Sequence, residues 1–289
     1  MKLLVTGATG FVGRHAVARL LARGHEVTAL VRDPARVREH PWEKRVHLVT
    51  GEIEAPRLAP GLTGHDALVH LAWPQLPHYQ LRSHFEDALP AHYRFIKALV
   101  QAGLAQVLVA GTCFEYGLRN GQLREDLPSE PSNPYALAKD TLRRFLQALR
   151  QDHPFTLQWA RLFYSHGAGQ NPRSLLAAVD EAIAQGRPDF PMTGGEQLRD
   201  YLPIEGVARR LAVLLEHPEL DGVTNICSGR PVSVRALAEQ HIRRAGANLP
   251  LRLNAIPYSP LEPMAFWGDA SRMAPLSNEF QTGDDPHEL

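Results

Sequence analysis

The chain of 289 residues is poor in cysteine, in net charge and in long apolar runs, and each shortage removes a class of protein. Its two cysteines, Cys113 and Cys227, show neither metal-ligand spacing nor a disulfide framework. A thiolate metal centre and a cross-linked extracellular scaffold are therefore disfavoured, and a reducing cytoplasm is the expected setting. Thirty-one basic residues face thirty-one acidic ones. That balance leaves no overall field to hold a nucleic-acid backbone or an anionic membrane, although a small anionic ligand in a local pocket remains open. The opening "MKLLVTGATG" turns polar at Thr6 after three apolar residues. This run is too short for a signal sequence or a membrane span, so a structural strand is expected there. No internal repeat, low-complexity tract or linker is visible, and the fourteen histidines, His70 among them, show no ligand spacing. No metal is expected.

What is present is an alternation. The runs "KLLVT", "EVTAL", "VHLVT", "ALVHLA" and "QVLVA" read as strands, while "FVGRHAVARLLARG" and "HYRFIKALVQAG" repeat apolar residues at helical spacing and end at Gly24 and Gly103. Strands apolar throughout suit a sheet covered on both faces, and their alternation with helices predicts an α/β fold of the Rossmann type, a doubly wound parallel sheet. The helix "NPYALAKDTLRRFLQALRQ" and the strand "FTLQWARLF" extend it. Beyond Tyr164 the texture becomes rich in glycine and proline, which predicts a smaller substrate-binding lobe. The expected division is a dinucleotide-binding domain over residues 1–164, to which 205–228 return, and a lobe made of 165–204 and 229–289.

"VTGATGFVG" sets Gly7, Gly10 and Gly13 between the first strand and the first helix. Glycines there permit a tight turn, close approach of the backbone to a pyrophosphate and tight helix packing, with the helix N-terminus supplying amide donors. At the end of the second strand, where an NAD site carries a ribose-binding acid, stand Val31 and then Arg32. A guanidinium suits a 2′-phosphate, which favours NADP(H) over NAD(H). Arg36 assists this reading and Asp33 opposes it.

"NPYALAK" puts Tyr135 and Lys139 four residues apart, on one face of a helix. A free phenol is a poor acid–base group at neutral pH, and a neighbouring ammonium that stabilises phenolate is what such chemistry requires. The stretch "AGTCFEYG" adds a hydroxyl, a thiol and a carboxylate at a strand end, and by itself it does not say which of them reacts.

With these motifs in place, the sequence resembles the extended short-chain dehydrogenase/reductases, in particular the branch of sugar-nucleotide epimerases, dehydratases and 4-ketoreductases. The resemblance runs through "TGATGFVG", "HLA", "GTCFEYG", "YALAK", "GAGQ", "LRDYLPIEGVARRL" and "NICSGRPVSVRALAE". It implies a nucleotide-sugar substrate, a homodimer formed through two helices, and a catalytic set of Thr112, Tyr135 and Lys139. Thr112 would orient a carbonyl, Tyr135 would give or take the proton, and Lys139 would tune the tyrosine and hold the nicotinamide ribose. Glu52 and Ala72 complete the implied cofactor set, which includes Tyr135 and Lys139. On the substrate side stand Thr112, Trp73, Tyr164 and Arg199. Trp73 replaces a small residue of many relatives and reads either as a wall of the sugar pocket or as packing under a loop. Tyr164 replaces an asparagine, and Arg199 reads as a diphosphate ligand or as a partner of Asp200.

Cys113 and Phe114 stand where 4,6-dehydratases of this branch carry an Asp-Glu pair, so dehydration is not expected. The leading expectation is an NADPH-dependent reductase of a nucleotide-activated 4-keto-6-deoxy sugar. The alternatives are an NAD-dependent sugar-nucleotide 4-epimerase and a non-catalytic NADP-binding redox regulator, which would not need Tyr135 and Lys139.

Overall fold

The apolar runs of the first half become the buried strands of one sheet in the structure, a computed structural model that describes residues 1–55 and 57–281. The sheet is formed by β1 (Lys2–Thr6), β2 (Glu26–Val31), β3 (His47–Thr50), β4 (Ala67–His70), β5 (Gln106–Thr112), β6 (Thr156–Leu162) and β7 (Gly222–Ile226). Its order is β7-β6-β5-β4-β1-β2-β3 and every pairing is parallel. The fold is thus the mixed α/β, Rossmann-like one that the alternation predicts.

The pleat sends successive side chains of β1 to opposite faces. Leu3 and Val5 join a core with Val17, Leu20, Val207 and Leu211, contributed by α1 (Phe11–Ala22) and by a later helix, Ile204–Glu216. Leu4 joins the other core with Ile96, Leu99, Leu142 and Leu146, contributed by α2 (Leu89–Gln101) and α3 (Pro134–Asp152). Asn133 caps α3, accepting from Ala136 N at 2.9 Å, and Pro134 takes the first helical position, where its missing N–H costs nothing. Ahead of α2, a π-type turn spans His84–Ala88. Pro90 in the first turn of α2 has no N–H to give to Glu86, which removes one of the bonds that would tighten this turn to α-helical pitch.

The chain leaves the sheet after β6 and comes back to it. Between lie α4 (Leu175–Ala184) and the strand Leu198–Pro203, which pairs in parallel with Tyr164–His166 and antiparallel with Pro231–Ser233. Then α5 (Ile204–Glu216) packs beside α1, and β7 closes the sheet edge. Two buried glutamines fix this return. Gln106 Nε2 donates to Leu215 O at 2.7 Å, and Gln158 Nε2 donates to His217 O at 2.8 Å. Past β7, α6 (Val234–Arg244) meets α4 through Val179, Ala182 and Ile242. Phe266–Gly268 pairs with Gly121–Leu123. Among the described residues no helix is long and apolar enough to cross a membrane.

Sheet order reverses between β1 and β4, and a parallel sheet opens a crevice beyond the carboxyl ends of its strands at such a point. Two cavities lie at that end of the sheet.

Candidate active site

The first cavity, about 550 Å³, opens at the end of β1. Gly7 has φ +72°, and a β-carbon there would stand 2.6 Å from Ala72 N. One on Gly13, inside α1, would run into Gly7 O, so Gly13 is required by packing and Gly7 by both packing and conformation. Gly10 N closes the turn on Gly7 O at 2.9 Å. Gly10 is also the N-cap of α1 and supplies no side-chain acceptor, so the first amides of α1 are left for a ligand. Thr9, Gly10, Ala72, Arg32 and Arg36 line this cavity.

Asp33 lines it as well, but its carboxylate accepts from Ala35 N at 2.9 Å and caps a short 3-10 turn, Pro34–Val37. Asp33 is therefore spent on the backbone, while Arg32 and Arg36 make no ion pair among the described residues. Glu52 is not part of the lining. Its neighbours Gly51, Ile53 and Glu54 are.

β5 ends at Thr112, and the catalytic candidates gather there. Thr112 Oγ1 accepts from Phe114 N at 3.3 Å, and Glu115 Oε1 accepts from Thr112 N at 2.8 Å, a reciprocal cap on the turn Cys113–Tyr116. Glu115 is wholly buried and anchors the floor. It takes Arg161 Nε at 2.7 Å and Trp159 Nε1 at 2.9 Å, with Arg161 buried as well. Gly111 stays bare because a β-carbon there would run into Trp159 Nε1 and come within 2.7 Å of Glu115 Oε1.

Tyr135 and Lys139 are buried one turn apart on α3. Burial pushes the Tyr135 phenol well above its ordinary range, the charges of Tyr79, Glu115 and Cys113 push the same way, and the Thr112 hydroxyl pulls back. The phenol is accordingly protonated at neutral pH. Burial lowers Lys139 to about 7, against the pull of Glu115. Its Nζ donates to Ala110 O at 2.8 Å and lies 4.0 Å from the centre of the Trp73 ring.

The second cavity, about 440 Å³, lies on the far side of Thr112 and Tyr135, which both line it. Its wall is aromatic: Tyr79, Phe114, Phe163, Tyr164 and Tyr201, with Asn171 and Arg173 as polar members. The Tyr79 ring packs 5.4 Å from that of Tyr135 and 5.2 Å from that of Phe114. Among the described residues the Tyr164 hydroxyl is buried without a hydrogen-bond partner.

Of the residues singled out from sequence, the structure brings Thr112, Tyr135 and Tyr164 to this cavity and Gly7, Gly10, Arg32, Arg36, Ala72 and Trp73 to the first. Trp73 thus stands on the dinucleotide side and not in the aromatic wall. Arg199 lines neither cavity. It is buried, donates to Glu262 Oε2 at 2.9 Å and to Leu198 O, and stacks its guanidinium 4.6 Å from the Phe266 ring. Its carboxylate partner is Glu262; Asp200 is instead occupied by the backbone amides of Ser228 and Gly229. Cys113 lines the second cavity, and burial pushes its thiol far up, so it is no thiolate nucleophile.

Sequence reasoning missed a histidine chain under the first cavity. Thr6 Oγ1 and His70 Nδ1 are 2.9 Å apart, and His70 Nε2 and His92 Nδ1 are 2.7 Å apart. Both rings are buried and held neutral by desolvation, His92 at about 3. No local spacing announces a pair drawn from β4 and α2.

Comparisons with known proteins agree with this geometry. The sequence pattern of the NAD dependent epimerase/dehydratase family matches residues 3–227. A dTDP-6-deoxy-L-talose 4-dehydrogenase (NAD(+)) of Aggregatibacter actinomycetemcomitans is 29% identical over 93% of this chain and 99% of its own. A GDP-6-deoxy-D-mannose reductase of Pseudomonas aeruginosa is 30% identical over 82% of this chain and 78% of its own. Among solved structures, MoeE5 in complex with UDP-glucose and NAD superposes with a TM-score of 0.79 at 26% identity, covering 95% of this chain and 91% of that one.

Proposed function

The chain belongs to the NAD dependent epimerase/dehydratase family, and from that premise we propose that it is an NADPH-dependent reductase of a nucleotide-activated 4-keto-6-deoxy sugar. The coarser statement is that it is a nicotinamide-dependent enzyme of the nucleotide-sugar oxidoreductase and epimerase group. The observation that supports the finer one is the phenol of Tyr135 together with the Thr112 hydroxyl in the wall of a ligand-sized cavity, with a lysine one turn further along the same helix.

A dinucleotide fits the first cavity on the structure's own terms: bare glycine turns, the uncapped start of α1, and two guanidinium groups at the end of β2. Bound there, a reduced nicotinamide supplies the hydride. The chain's own residues do the rest. Thr112 donates to the substrate carbonyl oxygen and orients it, and Tyr135 delivers the proton that neutralises the oxygen as the carbonyl is reduced. Lys139, one turn further along α3, makes the resulting phenolate less costly in its cationic form and suits the hydroxyls of the nicotinamide ribose.

Cys113 and Phe114 offer no carboxylate pair for eliminating water. Two relatives named for nucleotide 6-deoxy sugars support the substrate class. One of them is named for NAD(+), and the choice of NADPH here rests on Arg32 and Arg36, which carry no ion pair among the described residues while Asp33 is engaged by the backbone. The same reading makes 1–164 with 205–228 the dinucleotide-binding domain and 165–204 with 229–289 the substrate lobe, of which 282–289 lie outside the described residues. It assigns a cytoplasmic homodimer joined through α2 and α3. Leu137 and Phe145 are exposed on α3, and the free cysteines are both buried.

The test supplies a nucleotide 4-keto-6-deoxyhexose with NADPH, and separately the 4-hydroxy nucleotide sugar with no added cofactor. Stoichiometric NADPH oxidation in the first and no exchange at C4 in the second is expected. Cofactor-free exchange makes the protein a 4-epimerase, and inertness in both overturns the enzymatic reading.

A further inference from the structure

Lys139 is held in a place that works against its charge. Its side chain is about 1% exposed, and among the described residues Ala110 O, at 2.8 Å, is the only hydrogen-bond acceptor on its three N–H groups. Glu115 favours the cation from the turn after β5, but its carboxylate is already shared between Arg161, Trp159 and the Thr112 amide. The other titratable groups facing this corner give no help: His70 on β4 and His92 on α2 are neutral, and Tyr135 on α3 is protonated.

The remaining neighbour is the face of Trp73, 4.0 Å away. An indole face attracts an ammonium most strongly where water is absent. The indole is itself fixed. Its Nε1 donates to His84 Nδ1 at 3.1 Å, and His84 Nε2 in turn is 2.9 Å from His78 O, an arrangement in which each nitrogen has one role. The His92 ring lies against the indole at 4.6 Å. The orientation of His92 is set by His70, and that of His70 by Thr6. Thr6 Oγ1 accepts from Ala72 N at 3.4 Å and lies within hydrogen-bond distance of His70 Nδ1.

We propose that Trp73 is a positioning residue acting through Lys139: its indole, fixed by the His84 bond and the Thr6–His70–His92 chain, holds the ammonium by a cation–π contact and keeps it cationic beside Tyr135. The kinetic arm of the test rests on the reductase reading, whereas the titration arm stands without it.

Lys2, Lys44, Lys97 and Lys139 are the only lysines in the chain, so lysine labelled at Cε and Nζ gives few NMR signals, and Lys139 is assigned by its loss in Lys139→Arg. Its titration is followed in the cofactor-free protein with Trp73 intact, with Trp73→Phe, with Trp73→Leu, and with singly to multiply fluorinated tryptophan placed at position 73. Fluorination keeps the shape and drains the ring face of negative charge, so it reports the contact even where Trp73→Leu fails to fold. The expected result is a Lys139 midpoint that falls stepwise with fluorine number. It falls by about one pH unit in Trp73→Leu and is largely restored in Trp73→Phe. The high-pH limb of kcat/KM for ketone reduction moves down with it. An unchanged midpoint across the fluorinated series overturns the proposal, and so does a loss of turnover that leaves the midpoint in place. Failure of the wild-type protein to reduce any such ketone overturns the reductase reading instead, with the titration still deciding the role of Trp73.

Discussion

The two cavities are built from different materials, and at their boundary Trp73, in the lining of the first, stands with its ring centre 6.1 Å from that of Tyr135, in the lining of the second. The first joins a cradle of backbone and small residues, Gly7, Thr9, Gly10 and Ala72, and the guanidinium groups of Arg32 and Arg36 to an apolar side that includes Leu30, Ile53 and Trp73. The second is walled by rings, Tyr79, Phe114, Phe163, Tyr164 and Tyr201. A backbone cradle recognises what every ligand of its class shares, a phosphate chain, and leaves selectivity to a few charges at the rim. An aromatic wall measures shape and apolar surface, which is where one sugar differs from another. Selectivity for cofactor is therefore expected to move with single charged residues, and selectivity for substrate with the packing of several rings at once.

The sharpest break of this division lies at the boundary. Tyr135→Phe removes the proton and leaves both walls standing, so turnover falls by about 10² to 10⁴ while cofactor affinity, measured by calorimetry, stays close to wild type. Wild-type turnover in this variant would mean that the boundary is not the reacting centre. Next in size is the rim of the first cavity. Arg32→Ala costs about 1.5–3 kcal/mol in NADPH binding and little in NADH binding, as a lost charge-assisted contact should. Equal losses for the two cofactors would show that Arg32 does not read the 2′-phosphate.

Beneath both cavities, Gly111→Ala presses a methyl group into Trp159 and Glu115 and is expected to destabilise by about 1–3 kcal/mol, read from the denaturation midpoint. A midpoint at the wild-type value would mean that the Glu115 floor is loosely packed. Smallest of all, Asp33→Asn keeps an acceptor for Ala35 N and deletes one negative charge beside Arg32. NADPH should bind about two- to threefold tighter, with the gain fading in high salt. A gain that persists in high salt would not be electrostatic.

How far these regions could be read from the sequence follows the same division. The glycine cradle was legible because backbone demands write themselves locally: Gly7, Gly10 and Gly13 sit within seven residues, directly after an apolar run. The spacing of Tyr135 and Lys139 was legible because a helix puts i and i+4 on one face. The sheet was legible because strands buried on both sides are apolar without a break. The partners of Lys139 were not, since Trp73, His84 and His92 come from a loop, a π-type turn and a helix, and no period connects them to α3. Arg199 illustrates the same limit. Its neighbour Asp200 was the obvious ion-pair candidate, yet adjacent residues of a strand point to opposite faces, and the carboxylate that meets Arg199 is 63 positions away, on Glu262. Glu52 was implied only by the family resemblance, and the turn after β3 puts Gly51, Ile53 and Glu54 on the cavity instead.

The late return of the chain to its sheet has a consequence for the order in which a ribosome delivers the parts. β6 leaves the tunnel about sixty residues before its neighbour β7, and in that interval its outer edge has no strand to pair with. During the same interval the side-chain amides of Gln106 and Gln158 lack the carbonyls of Leu215 and His217 that satisfy them in the finished molecule. A fragment ending near residue 164 would carry every catalytic candidate and still expose an unpaired edge, with the Gln158 amide deprived of its acceptors on Leu214 and His217 and Gln106 left only its bond to Gln158 Oε1, a combination that invites aggregation. The reacting groups are thus synthesised early, while the sheet that carries them is completed only after α5 and β7 have emerged.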